Sequence, residues 1–183
     1  MTLALSPEVE PTAADVHEAL STGDCAVLVT QLDLPPEVVA AVVSARRPGQ
    51  TLIGNLVPHP GIELRMLDGL VVNVHEAATI LGVASIEPAA AARELRALGP
   101  WMAVVTAGAD GVAYHTDAVS GVESAEAVPV VDTTGAGDAF LGALALRLSR
   151  RAHVPEAVAE AVRVASIAVR HRGAQLPAGH ERR

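Results

Sequence analysis

The chain has 183 residues, enough for one domain that buries roughly 70% of the surface its unfolded form exposes. Half of the residues are apolar but only three are aromatic, Trp101, Tyr114 and Phe140, so the core is built from Val, Leu, Ile and Ala, as suits helices packed on a parallel sheet. A formal net charge of −8 works against binding to nucleic acid or anionic membrane, and the complete absence of lysine excludes a lysine-bearing P-loop and any Schiff-base mechanism.

Residues 1 to 24 open polar and proline-marked, with one short helix over AADVHEAL ahead of Gly23. Glu8, Glu10, Asp15 and Glu18 stand where a secretory leader would be basic and then apolar, and no uninterrupted apolar run is long enough to span a bilayer; a cytoplasmic location is expected. Cys25, the single cysteine, has no partner for an internal disulfide and reads as a buried, inert thiol. CAVLVTQLD, 25 to 33, reads as a buried strand. Pro35 and Pro36 start a helix over EVVAAVVSARR, which Pro48-Gly49 ends, and TLIGNL, 51 to 56, is the next strand. LVVNV, 70 to 74, is a third strand, followed by helices over HEAATILG and PAAAARELRALG.

WMAVVTAG, 101 to 108, is a fourth strand, and Ala109-Asp110-Gly111 turns it into VAYHT, whose alternation predicts an antiparallel partner. Val128 to Val131 reads as a further buried strand that passes through Asp132-Thr133-Thr134 into Gly135-Ala136-Gly137, after which Asp138 opens a helix running to about Arg151. VPEAVAEAVRVASIAVRHRG then gives a long closing helix ending at Gly173. The expected fold class is α/β, a three-layer arrangement in which a mostly parallel sheet is flanked by helices, in a single domain over residues 1–183. His59, His75 and His115 are expected on the surface or in loops, and no histidine has metal-ligand spacing with another His or Cys.

Most of the chemistry is concentrated in DTTGAGDAF, residues 132 to 140. Without side chains at 135 and 137, the first helical turn can aim its unpaired N–H groups at an anion, with Gly135, Ala136 and Gly137 forming the hole. A carboxylate beside such a hole, Asp138, is suited to taking a proton from a hydroxyl that attacks a phosphoryl group held there. The competing reading is an acidic first turn stabilised by the helix dipole. Asn73 and Glu76, three apart at a strand-to-helix junction, fit either a capping box or a pair facing a ligand at the strand's C-terminal edge. Thr106, Gly108 and Gly111 in TAGADG fit a plain turn or a phosphate or ribose contact.

DTTGAGDAF resembles the C-terminal signature of the ribokinase, or PfkB, family of carbohydrate kinases. QLD at 31 to 33, NVHEA at 73 to 77, TAGADG at 106 to 111 and IAVRHRGAQ at 167 to 175 resemble further motifs of that family, in the family's order, over a match running from Leu5 to the end. The resemblance implies a ribokinase-like fold, N-terminally truncated: the nucleotide half without most of the sugar half. It implies an ATP-dependent kinase acting on a sugar, ribose first among them, with Asp138 as general base. Asn73, Thr106, Gly108, Gly111 and Gly137 would line the ATP site, Asp33 and Asp138 would meet the sugar, and Glu76 would help place Mg²⁺ through water. Asp132, Thr134, Ala168, His171 and Gly173 would hold a monovalent cation such as K⁺, with Pro177 where the family often supplies a last serine ligand. Val162 stands where the family commonly sets an asparagine against the adenine. Two other readings are an ATP-binding remnant without catalysis and, since strand-GAGDAF-helix approximates G-x-G-x-x-[G/A], a dinucleotide-binding enzyme. A sheet beginning at CAVLVTQLD leaves an edge for which self-association, a partner chain or partial disorder of residues 1 to 60 is expected.

Overall fold

Alternation decides the layering. In the computed structural model, which describes residues 11–174, successive residues of each central strand enter two separate cores. Leu28, Leu52, Leu70, Val72, Ala103, Val105 and Ala113 point to one face, while Ile53, Val71, Met102, Val104 and Val112 point to the other. Because both faces are covered, these strands read as continuous apolar runs, as parallel strands buried on both sides do.

The sheet has six strands in sequential order: β1 (Val27–Gln31), β2 (Thr51–Asn55), β3 (Gly69–Asn73), β4 (Met102–Thr106), β5 (Val112–Thr116) and β6 (Ser120–Glu123). The first four are parallel, and β5 and β6 continue antiparallel. Helices α1 (Ala13–Thr22), α2 (Pro36–Ala45), α3 (Val74–Leu81) and α4 (Pro88–Ala97) cover one face, and α5 (Ala136–Ser149) and α6 (Val154–Ala168) cover the other. The expected three-layer α/β architecture is present. Prolines at the first turns of α2, α4 and α6 supply the preset φ that a helix start uses without losing a hydrogen bond. No helix among the described residues is long and apolar enough to cross a membrane.

Four expectations are corrected. Residues 128–131 form no strand; Val130 and Val131 are exposed, and Pro129 lacks the N–H that a ladder needs. The last strand is instead β6, paired antiparallel to β5. The closing helix stops at Ala168 rather than Gly173, because the Val169 carbonyl beyond it accepts two N–H groups from Val131 and Asp132, at 2.7 and 3.1 Å. Cys25 is half-buried, and its Sγ lies 3.5 Å from Gln50 Nε2. His115 is also not in a loop but in β5, half-buried. The segment before Pro11, Gln175 and Pro177 lie outside the described residues.

At the N-terminal ends of the strands, Asp68 ties the sheet together. Its Oδ2 accepts from Leu52 N–H at 2.8 Å and from Arg46 Nη1 at 2.5 Å, both in a half-buried setting. Asp68→Ala would leave the N–H of fully buried Leu52 without its acceptor and is expected to destabilise by about 1–3 kcal/mol. Urea unfolding monitored by circular dichroism should show the loss as a lower midpoint; an unchanged midpoint would mean that water replaces the carboxylate without cost.

Candidate functional site

The C-terminal ends of the parallel strands lie together at one side of the sheet, where Gln31 pairs with Asn55 and Asn73 with Thr106. Open α/β sheets bind ligands at this edge. Asn73 caps α3: its Oδ1 accepts from His75 and Glu76 N–H, both at 2.9 Å. Glu76 returns the bonds, Oε2 accepting from Asn73 N–H at 2.9 Å and Oε1 from Asn73 Nδ2 at 2.6 Å. The capping-box reading of this pair is thus realised, and it draws both carboxylate oxygens toward the strand end.

The glycine loop has a different division of labour from the one its sequence suggests. Gly135 is the N-cap of α5 with φ of 76°, and a Cβ there would stand 2.8 Å from Ala174 Cα. Gly137 is ordinary helix, exposed, with nothing within 4 Å of a Cβ position. Backbone conformation therefore requires glycine at 135, whereas the missing side chain at 137 keeps space open. The Ala136 N–H turns back to the Thr133 carbonyl at 3.2 Å, while those of Gly137 and Asp138 have no partner among the described residues. Asp138 sits exposed in this first turn. Asp33, just beyond β1, is also exposed, and it does not line the cleft described below.

Asp132 fastens the loop to the chain leaving α6. Its Oδ1 accepts from Thr134 N–H and its Oδ2 from Gly173 N–H, each at 2.9 Å. These bonds, Gly173's first and then Thr134's, lower its pKa to about 2 from the ordinary 3.8. The Ala168 carbonyl accepts from His171 N–H at 3.1 Å. Asp132, Thr134, Ala168, His171 and Gly173 are thereby brought to one junction.

Between this loop, the turn after β4 and one side of α6 lies a cleft of about 520 Å³. Thr106, Gly108, Gly111 and Gly137 contribute to its lining; Asn73, Glu76 and Asp138 do not. Much of the remaining wall is apolar and comes from Val128, Val130, Phe140, Val162, Ala165 and Val169. Sequence reasoning missed Glu126, Val128, Val130 and Ser166 as cleft residues; Pro129 was the signal that 128–131 was wall rather than strand.

Since the folded pKa of Asp132 is depressed, its contribution to holding the loop is complete above pH 3.8 and is lost as the pH falls through about 2. In an NMR titration the amide resonances of Thr134 and Gly173 should move together with a midpoint of about 2, and a midpoint near 3.8 would contradict the latch.

Residues 7–180 match the family model described as pfkB family carbohydrate kinase. A ribokinase of Schizosaccharomyces pombe is 33% identical over 171 residues, which cover 87% of this chain and 53% of that protein. Among solved structures, a ribokinase from Thermotoga maritima superposes with a TM-score of 0.73 at 29% identity, covering 86% of this chain and 54% of that one. An Arabidopsis thaliana ribokinase complexed with ribose and ATP gives 0.68 at 25% identity, covering 93% and 55%. The chain spans about half the length of these relatives. With a model match over nearly its whole length, on a mostly parallel sheet whose glycine loop opens into a cleft, the chain belongs to the pfkB family of carbohydrate kinases.

Proposed function

We propose that the chain is the nucleotide-binding part of a ribokinase-type kinase that transfers the γ-phosphoryl group of ATP to a sugar hydroxyl, with ribose as the first candidate. The observation that carries this reading is the cleft in which Gly137, at the start of α5, meets Thr106, Gly108 and Gly111 from the end of β4. The amides of Gly137 and Asp138, without partners among the described residues and at the positive end of α5, suit the transferred phosphoryl group. Asp138 would accept the proton of the attacking hydroxyl. The sugar oxygen then bonds to the γ-phosphorus as its bond to the β–γ bridging oxygen breaks, and ADP leaves. Asn73 would approach the phosphates. Asp33, on the far side of this edge, would meet the sugar.

The donor sets suit two kinds of cation. Glu76 has both oxygens engaged by Asn73, which fits an outer role toward Mg²⁺ through water rather than direct ligation. At the latch, the Asp132 carboxylate with Thr134 and the carbonyls of Ala168, His171 and Gly173 would hold a monovalent cation such as K⁺, as the family resemblance implies. Mg²⁺, when bound, would neutralise charge on the phosphates.

A second reading, an ATP-binding module that does not catalyse by itself, is favoured by the exposure of Asp33 and Asp138, which leaves the sugar side open to water. Dinucleotide binding loses its support, since no strand leads into the glycine turn. As for partners, β1 ends the sheet among the described residues, and Val29 on it is 43% exposed beside α5, whose Leu146 is 50% exposed. We infer that a second copy or a partner chain covers this edge. Light scattering should show association, and a compact monomer would oppose it.

Calorimetry with ATP and a ribose-dependent ADP-release assay test the function. Asp138→Asn should lower turnover roughly 10²- to 10⁴-fold while nucleotide affinity stays within a few-fold. Gly137→Val should leave the fold intact, since nothing crowds its Cβ, yet remove ATP binding by filling the cleft. ATP binding without any ribose-dependent ADP release would favour the non-catalytic module; equal ATP affinity in the Gly137 variant would contradict the phosphate site.

A further inference from the structure

One polar side chain in the apolar wall of the cleft has no hydrogen-bond partner among the described residues. Val162, Ala165, Ser166 and Val169 recur at helical spacing around the end of α6 and line the cleft together with Val128, Val130 and Phe140. Ser166 is 7% exposed, and its hydroxyl takes no hydrogen bond among the described residues. Other serines in helices behave differently: Ser44 and Ser149 donate to the carbonyls of Ala41 and Leu146 at 3.0 and 2.8 Å. Returning the hydroxyl to the preceding turn is the usual way to satisfy it. Ser166 instead keeps it available to the cleft.

A nucleotide whose phosphates lie at the glycine turns would place its base against this wall. The flat faces of a base suit Val128, Val130, Val162 and Val169, and its polar edge needs a hydrogen-bonding partner there. Of the other polar side chains lining the cleft, Glu126 and Thr133 are exposed to water and Thr106 stands beside the glycine turn at the end of β4. A purine presents an amino group at its six-position when it is adenine and a carbonyl when it is guanine. A hydroxyl serves either, because it accepts from the first or donates to the second by rotating about one bond.

We propose that Ser166 reads the six-position of a purine base and, for that reason, admits adenine and guanine nucleotides to about the same degree. The inference rests on the nucleotide-site reading above and adds to it the residue that sets base choice.

Calorimetric titration of the chain with ATP, GTP and CTP, repeated on Ser166→Ala and Ser166→Thr, tests it. The expected result is ATP and GTP affinities within about fivefold of one another. Ser166→Ala should weaken both purine nucleotides by about three- to tenfold without changing CTP, and Ser166→Thr should retain the purine affinities. Alanine is a strong helix former, so the first variant should keep α6 intact. A preference for one purine well beyond fivefold, or purine affinities unchanged in Ser166→Ala, would overturn the inference while leaving the nucleotide site standing. No binding of any nucleotide by the unaltered chain would overturn the site itself, and base reading with it.

Discussion

The candidate site depends on a junction between two stretches of chain about 40 residues apart in sequence: the approach to α5 and the exit from α6. A helix end normally spends its last carbonyls on water or on a cap. Here the Val169 carbonyl takes the N–H groups of Val131 and Asp132, and the Asp132 carboxylate takes that of Gly173. These bonds fix where the glycine loop begins. They also place α6 so that one of its sides becomes the wall of the cleft. The left-handed turn at Gly135 then fits against Ala174, where a side chain would collide.

The layering was legible because its cause is local. Parallel strands buried on both faces are continuously apolar, and prolines and glycines punctuate the helices between them, so β1 to β5 and α1 to α6 could be located from composition and period alone. Residues 128–131 misled for the opposite reason. Val128, Val130 and Val131 have the composition of a buried strand, yet Val128 and Val130 wall the cleft and Val130 and Val131 face water, because no strand among the described residues pairs with them and Pro129 cannot donate. β6, with Ser120 and Gly121, carries too little apolar signal to announce itself; its pairing is supplied by β5.

At the site, residue identity was more legible than residue role. Asn73 and Glu76 were visible as a pair, and the structure shows the capping geometry that their spacing permits. Gly135 and Gly137 were visible together, but only the backbone angles separate the one required for its turn from the one required for space. Ser166 was not visible at all: a serine within a helix is ordinary, and what distinguishes this one is the missing bond to its own helix.

The sheet also partitions the chain's tolerance for change. All of the described cleft comes from the end of β4 and the turn after it, the start of β5, the stretch following β6, and the α5–α6 layer, while α1, α2, α3 and α4 pack on the opposite face around their own core. Repacking among Leu28, Leu52, Leu95 and their neighbours can therefore proceed without touching the cleft wall, whereas Phe140 and Val162 belong to the core and the wall at once. Apart from Asn73 and Glu76 at the start of α3, the core of that layer is free to drift in sequence under selection for stability alone. The other must answer to packing and to the shape of the cleft with the same atoms, and variation there is constrained twice.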